Sequence, residues 1–252
     1  MRIKRVSKLL EKKEKTAGRN NSGNITIRHR GGAHKRKWRK IDFKRNILKS
    51  PATVLQIQRD PNRTANIALV CYPGGILSYV LAPEGVLPRT QLYTSNSNLT
   101  SIGTHAPLKN ILIGSFIFNL EMKPGNGGKL IRSAGTYGIL LSKDKLGYVQ
   151  VKLPSGETKK FQENCHATLG ITSNSKHHIH SLTKAGQSRH IGIRPHVRGV
   201  AMNPVDHPHG GGEGKHGTGR PSVSFSGKLT KGKKTRKNKK SNFSILKKRY
   251  VP

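Results

Sequence analysis

Side chains that could bind a ligand or transfer a proton are concentrated in residues 203–214. His207 and His209 stand two residues apart, and three glycines and Glu213 follow them. A histidine before a glycine run also occurs in the oxyanion loop of lipases, but those enzymes need a Gly-x-Ser-x-Gly turn that this chain lacks. The glycines instead favour close approach of the main chain to folded RNA, where both histidines can donate hydrogen bonds.

A zinc site is an alternative role for the same two histidines, with Glu213 and one of His177, His178 or His180 as further ligands. Their spacing matches none of the common zinc patterns, and two prolines stiffen the segment. We therefore expect no cofactor and no metal held by the protein. Nearby magnesium or potassium ions would be held mainly by RNA.

A second concentration of charge lies at residues 28–39, where basic residues surround two glycines. Small residues let the backbone approach a phosphate while long basic side chains reach outward. The predicted RNA contacts in this run are Arg28, Arg30, His34, Lys35 and Arg36. Trp38 could stack on a base, but packing in the first barrel is the favoured interpretation.

Two glycine-rich loops partly match the pattern of a nucleotide-binding loop. Lys129 follows the glycines at 125–128, but Leu130 stands where Ser or Thr is required, and the first glycine of the pattern is missing. In residues 227–233 the same requirement fails, because Lys234 replaces the hydroxyl residue that would hold magnesium. Nucleotide triphosphate binding is therefore not expected.

Basic residues continue toward the C-terminus. Four basic residues, separated by glycines, are predicted to follow the phosphates of an RNA strand. They are Lys184, Arg189, Arg194 and Arg198. The run 228–240 contributes Lys233, Lys234 and Arg236 as further predicted contacts. This tail has too few apolar residues to offset its ordering entropy, so we expect it to be disordered in isolation and ordered on RNA.

The composition of the whole chain indicates a polyanionic partner. Lys and Arg total 48 against 11 Asp and Glu, a formal net charge of +37, and such an excess repels itself unless a polyanion neutralises it. No apolar run is long enough for a membrane span. Cys71 and Cys165 lack the spacing of a zinc ribbon and are predicted to be buried thiols. RNA is the favoured partner, with a general DNA-compacting protein as the alternative.

The elements that must position these residues are short strands joined by tight turns, as 28 Gly and 13 Pro favour. Strands are predicted at 25–27, 53–58, 65–72, 76–81, 137–141, 147–153, 157–161 and 165–171. A hairpin is predicted across Pro154, Ser155 and Gly156, and a linker over 87–107. The predicted domains are an N-terminal arm (1–19), a first barrel (20–98), a second barrel (99–198) and a C-terminal tail (199–252).

These motifs together resemble the family of the universal ribosomal large-subunit protein L2. The matching blocks run in the family's order from residue 18 to about residue 248. The most specific block spans 198–214, and the others are 18–23, 28–32, 41–45, 60–63, 81–85, 122–125, 132–137, 192–195 and 231–236.

The resemblance implies an all-β fold, with an oligonucleotide-binding (OB) barrel, an SH3-like barrel and basic extended N- and C-terminal segments. It implies a non-enzymatic constituent of the large ribosomal subunit that binds ribosomal RNA beside neighbouring ribosomal proteins. It also implies roles in subunit association and in the architecture around the peptidyl transferase centre. Two arginines known for RNA binding in the family fall on Arg63 and Arg132. A histidine debated in peptide-bond formation falls on His207, which we interpret as an RNA-organising residue rather than a general base.

Some positions depart from the family pattern. Ala33 replaces a third glycine, His190 takes a Trp position, and 225–227 replaces Pro-Trp-Gly, which predicts a weaker stacking contact. With a short N-terminal arm and a divergent segment at 87–107, these departures favour an organellar protein. We expect a mitochondrial ribosome, with a chloroplast or the bacterial cytoplasm as the alternatives.

Overall fold

The structure, a computed structural model of the 252-residue chain, describes residues 6–45, 51–94, 101–214, 219–232 and 239–249. The chain forms two compact units. The first contains 1–13, 35–181 and 240–252, and the second contains 14–34 and 182–239. The strands of both predicted barrels lie in the first unit, and the predicted domain limits at residues 19, 98 and 198 stay predictions.

Short strands make up most of the regular structure in the first unit. In chain order they are β1 (Leu10–Lys12), β2 (Lys37–Arg39), β3 (Ala52–Arg59), β4 (Asn66–Cys71), β5 (Leu77–Leu81), β6 (Gln91–Leu92), β7 (His105–Pro107), β8 (Phe116–Phe118), β9 (Leu120–Glu121), β10 (Gly128–Leu130), β11 (Gly138–Lys143), β12 (Tyr148–Lys152), β13 (Thr158–Gln162), β14 (His166–Leu169) and β15 (Ile245–Lys247). The helices are α1 (Ala185–Ile191) and 3-10 turns at Ser7–Leu9, Leu108–Asn110, Ser175–Ile179, Gly199–Ala201 and Lys240–Ser244.

A four-stranded antiparallel sheet in the order β5-β4-β3-β6 corresponds to the first predicted barrel. Its central strand β4 is apolar at every position from Ile67 to Val70, because both of its faces are covered. Ala68 and Val70 face one cluster, whereas Ile67 and Leu69 face another.

A seven-stranded sheet in the order β15-β13-β12-β11-β8-β14-β7 corresponds to the second predicted barrel. Its inner face carries the larger core, which includes Phe118, Leu140 and Phe161. The two sheets are joined by main-chain hydrogen bonds, among them Glu84 N to Ile171 O at 2.8 Å. The all-β prediction is confirmed, with sheets that correspond to an OB fold followed by an SH3-like fold.

The predicted strands and turns agree closely with the observed ones in both sheets. Strand β3 covers the prediction at 53–58, and β12 and β13 form the hairpin predicted across 154–156. Gly156, with φ of +85°, donates its N–H to Leu153 O at 2.9 Å and closes that turn. These elements are encoded locally, in alternating apolar residues and in a turn tripeptide.

Several predictions at the edges of the sheets are wrong. Residues 25–27 form no strand; Ile25 makes a single bridge with Arg19 and is exposed. The predicted linker at 87–107 contains β6 and β7, both of which join sheets. The C-terminal segment is not a free tail along its whole length, because β15 pairs with β13.

The N-terminal arm is anchored where it is described. Val6 and Leu9 pack against the cluster of Ile67, Leu69 and Tyr79, and β1 pairs with β2. Trp38 on β2 does not pack in a core, contrary to prediction, since it is 43% exposed and the Lys13 ammonium lies 4.4 Å from its ring centre. In the described ranges no helix has the length and apolar character that a bilayer crossing requires.

Candidate nucleic-acid interface

In the first unit, two guanidinium groups lie near the ring of Phe43. The Cζ atoms of Arg132 and Arg63 lie 4.8 Å and 5.6 Å from its centre. Both distances fall within the range of cation–π attraction. The two arginines that the family resemblance marks for RNA binding therefore share one aromatic platform, although Arg63 lies between β3 and β4 and Arg132 follows β10.

A turn after β2 fixes this platform. The Asp42 carboxylate accepts hydrogen bonds from the N–H groups of Lys44 and Arg45 at 2.9 Å and 2.8 Å. The carbonyl of Phe43 accepts the N–H of Gly128 at 3.0 Å, which ties the turn to β10. Partial burial, with the nearby positive charge of Arg63, lowers the pKa of Arg132 from its usual value. An anion between the two guanidinium groups would relieve that repulsion.

Asp60 orients Arg63. Its carboxylate is 1% exposed and accepts Arg39 Nη1 and Arg63 Nε, both at 2.9 Å, as well as Asn62 N at 3.1 Å. Asp60 holds Arg63 through Nε, so the terminal nitrogens of that guanidinium still have N–H groups that can donate to a phosphate. The sequence marked Asp60 only as part of a turn.

The turn at 60–63 also contacts residues of the basic run at 28–39. Arg36 donates from Nη1 to Pro61 O at 2.9 Å, and Lys35 beside it is exposed. Asn62 accepts a hydrogen bond from Lys13 Nζ at 2.9 Å and donates to Lys37 O at 2.7 Å. Part of the predicted basic run at 28–39 therefore joins Arg63 on one surface of the first unit.

In the second unit, two segments that are distant in the sequence pair through their main chains. Gly31 N donates to Gly192 O, and Arg194 N donates to His29 O, both at 3.0 Å. A third bond joins His34 N to His190 O at 3.0 Å. The pairing brings together the predicted contacts Arg28, Arg30 and His34 with Arg189 and Arg194, all exposed.

Glycine is required where the two segments meet. Gly192 has φ of +96°, and a Cβ there would stand 2.9 Å from the Cβ of Ala33. A larger residue at either position would separate the paired backbones and the basic side chains that they carry. Ala33, a departure from the family pattern, therefore faces a glycine.

Arg28 stacks on Phe225, whose ring centre lies 3.9 Å from the guanidinium Cζ. Phe225 belongs to the tripeptide that departs from the family pattern, and its ring supplies an aromatic surface for the arginine. The predicted weakening of a stacking contact at 225–227 stays a prediction.

His207 and His209 each accept a main-chain hydrogen bond. His207 Nδ1 accepts the N–H of His209 at 3.0 Å, and His209 Nε2 accepts the N–H of Val223 at 3.2 Å. In the neutral state the remaining proton must therefore sit on Nε2 of His207 and on Nδ1 of His209. Partial burial, with electrostatic repulsion from His209, Arg28 and Arg220, lowers the pKa of His207, which favours this neutral form.

Close packing fixes the imidazole of His207. A Cβ on Gly199 would lie 2.5 Å from its ring, and Arg220 donates a hydrogen bond to the carbonyl of Pro208. Sequence reasoning missed Arg220, as well as Phe43 and Asp60, because each has a partner outside its own turn: Pro208, Arg132 and Arg39, respectively. A signal for Phe43 was present, since it lies within the matching block at 41–45.

The other predicted contacts are less constrained. Lys184 directly precedes α1 and Arg198 directly precedes the turn at 199–201, and both are exposed. Lys233, Lys234 and Arg236 lie outside the described residues. Across the described ranges, no group of three or more His, Cys, Asp or Glu is placed to hold a metal ion.

Comparison with known proteins agrees with this geometry. The model of "Ribosomal Proteins L2, RNA binding N-terminal domain" matches residues 6–94, and that of "Ribosomal Proteins L2, C-terminal domain" matches residues 101–227. The chain is 51% identical over 247 residues to "Large ribosomal subunit protein uL2" of Buchnera aphidicola subsp. Schizaphis graminum, covering 98% of this chain and 90% of that protein. The protein of the same name from Buchnera aphidicola subsp. Acyrthosiphon pisum is 51% identical over 246 residues, with 98% and 89% covered. These relatives are bacterial and give no support to the expected mitochondrial origin.

Proposed function

We propose, since the chain belongs to the ribosomal protein L2 family, that it is a structural component of the large ribosomal subunit and binds ribosomal RNA. The observation that carries this proposal is the pair of arginines on Phe43, of which Arg63 is oriented by buried Asp60. Planar guanidinium groups with fixed positions suit bidentate contact with phosphates. The bacterial relatives favour a bacterial-type ribosome over a mitochondrial one.

The test is the affinity of the purified chain for large-subunit ribosomal RNA over a range of salt concentrations. Arg63→Ala and Arg132→Ala should each weaken binding and lower the slope of log Kd against log salt by about one. Lys145→Ala, in an exposed turn of the second sheet, serves as the matched control for loss of one positive charge. Equal slopes in all four proteins would contradict the proposed role of the pair.

The fixed histidine pair supports a non-enzymatic role. A general base needs a free lone pair directed at the proton that it removes. In neutral His207 the Nδ1 lone pair accepts the His209 N–H, and Nε2 carries the proton. The side chain therefore offers RNA a hydrogen-bond donor, and we assign no catalytic residue. Ions near the interface would be held mainly by RNA.

Two substitutions distinguish a structural role of His207 from a catalytic one. His207→Asn keeps an acceptor near the place of Nδ1, and large subunits reconstituted with it should retain peptide-bond synthesis. His207→Ala removes the acceptor and should weaken incorporation of the protein into the subunit. If the Asn variant assembles normally but peptide-bond synthesis collapses, His207 acts chemically and the non-enzymatic proposal fails.

Family membership also supports two finer roles. We place the second unit, with its fixed histidine turn, toward the peptidyl transferase centre, and we assign the protein a part in subunit association. Neighbouring ribosomal proteins and the small subunit would be its partners there. Subunits reconstituted with a chain that lacks residues 199–239, which keeps β15 of the first unit, should then join small subunits poorly in sucrose gradients, and normal association would refute that role.

A further inference from the structure

A cavity of about 280 Å³ opens on the second sheet, in a place that none of the predicted RNA contacts lines. Its walls include Tyr137, Ile139, Lys152, Leu153 and Pro154. Ile139 lies between buried Gly138 and Leu140 on β11, so it points to the face opposite the core. The cavity therefore belongs to the outer surface of this sheet, where a ligand has access.

Tyr137 forms one wall, and a second aromatic ring outside the cavity supports it. The ring of Tyr137 lies edge-to-face with that of Phe116, with centres 4.8 Å apart and planes at 68°. Both rings are on the surface, at 41% and 46% exposure. Their mutual contact fixes the orientation of Tyr137 before any ligand arrives, so little side-chain freedom remains to be lost on binding. A flat, exposed and fixed ring is the usual platform for a nucleobase.

Strand register places a cation beside the aromatic wall. Phe116 pairs with Ile139, and Ile139 pairs with Lys152. Directly paired residues share a face, and neighbouring strands are about 4.8 Å apart. The row therefore passes from an aromatic ring through an aliphatic side chain to an ammonium group within about 10 Å. Lys152 in turn pairs with Thr158, which pairs with Lys247 of β15, so positive charge continues along the row.

We propose that this cavity binds a single unstacked nucleotide of RNA, with its base on Tyr137 and its phosphate at Lys152. The inference deepens the proposed function, because it takes RNA binding by the chain as given. The lining contains one lysine and no acidic residue, and the chain carries a net charge of +37. An anionic ligand with a flat apolar part therefore matches it better than an apolar protein segment.

The test compares two tyrosines of nearly equal exposure. Tyr137→Leu should weaken binding to large-subunit ribosomal RNA roughly tenfold at fixed salt, the typical loss of one base–aromatic stack. Tyr148→Leu is the control, because Tyr148 is 42% exposed on neighbouring β12 but does not line the cavity. Tyr137→Phe should stay close to wild type. Circular dichroism of each variant checks that the fold is intact.

A second readout locates the contact directly. Ultraviolet cross-linking of the complex, followed by mass spectrometry, should yield a nucleotide adduct on the peptide that carries Tyr137. Lys152→Gln should lower the slope of log Kd against log salt by about one. A cavity whose residues merely support the fold would give neither the nucleotide adduct nor the lower salt slope.

The outcomes separate this inference from the proposed function. If Tyr137→Leu binds as tightly as Tyr148→Leu and no adduct forms, while Arg63→Ala still weakens binding, the nucleotide site is refuted and the RNA-binding role stands. If Tyr137 cross-links only to another protein in intact subunits, the site is a protein contact and the inference is overturned. If the wild-type chain binds duplex DNA as tightly as ribosomal RNA at matched salt, the proposed function itself fails.

Discussion

Replacing Asp60 by Asn should destabilise the first unit far more than its small chemical change suggests. The carboxylate is 1% exposed and pairs with Arg39, whose side chain is 3% exposed, at 2.9 Å. After the substitution the guanidinium of Arg39 would stay buried beside a neutral amide. Arg63 would lose the carboxylate that holds its Nε. A buried cation without a counter-charge is one of the costliest arrangements in a protein.

The expected loss of stability on Asp60→Asn follows from the burial of this ion pair. Removing one partner of a buried ion pair costs about 3–5 kcal/mol, a large fraction of the roughly 5–15 kcal/mol that stabilises a typical domain. At about 2–4 °C per kcal/mol for a chain of this size, Tm should fall by roughly 6–20 °C. The affinity for RNA should fall as well, because Arg63 would no longer be oriented.

Glu11→Gln is the matched control in a thermal melt followed by far-ultraviolet circular dichroism. It makes the same kind of carboxylate-to-amide change in the Lys40–Glu11 pair, also 2.9 Å long but with both side chains more than half exposed. An exposed pair contributes about 0–1 kcal/mol, so its Tm should barely move. Adding Arg39→Met to Asp60→Asn should recover part of the loss, since the buried charge is then gone. Equal melting temperatures for Asp60→Asn and Glu11→Gln would refute the reasoning.

Two further predictions concern a buried histidine and a glycine at the interface. Burial, with electrostatic repulsion from Arg45 and His166, lowers the pKa of His105 well below 6.5. The unfolded chain therefore binds a proton first as the pH falls, and the free energy of unfolding should decrease below about pH 6.5. His105→Gln should reduce that slope by up to about 1.4 kcal/mol per pH unit in urea titrations, and an unchanged slope would contradict it. Gly210→Ala should weaken RNA binding, because its Cβ would stand 2.3 Å from Asn203 O, whereas Gly186→Ala meets nothing within 4 Å and should bind normally.

The parts of the fold that the sequence predicts are those with local signals. Strand β4 and the β12–β13 hairpin follow from apolar runs and from the turn at 154–156. Strand β15 has no such signal, because its place depends on pairing with Thr158 and Lys159, far away in the sequence. Residues 25–27 show the opposite error, since β-branched side chains favour a strand but no neighbouring strand pairs with them in the described chain.

Candidate contacts were easier to predict than their arrangement. Family motifs point to Arg63 and Arg132, but the shared ring of Phe43 depends on three loops that are far apart in the sequence. Cys165 is buried as predicted, and burial together with Glu121 raises its pKa to about 11. Cys71 is only partly buried, contrary to the same prediction. It lies at the end of β4, where the apolar run stops.

The two units differ in the interactions that stabilise each of them internally. Every buried hydrophobic side chain in the described residues belongs to the first unit, between Ala52 and Leu169. In the described part of the second unit, Gly192 is the only buried residue. Its internal contacts include main-chain pairs, an arginine stack and the histidine turn, and these carry clustered positive charge. Hydrophobic burial stabilises the first unit, whereas the clustered charge and small buried area of the second unit favour a polyanion that offsets its repulsion and its ordering entropy. We therefore expect ordering of the second unit to be coupled to the binding of RNA, which stays a prediction.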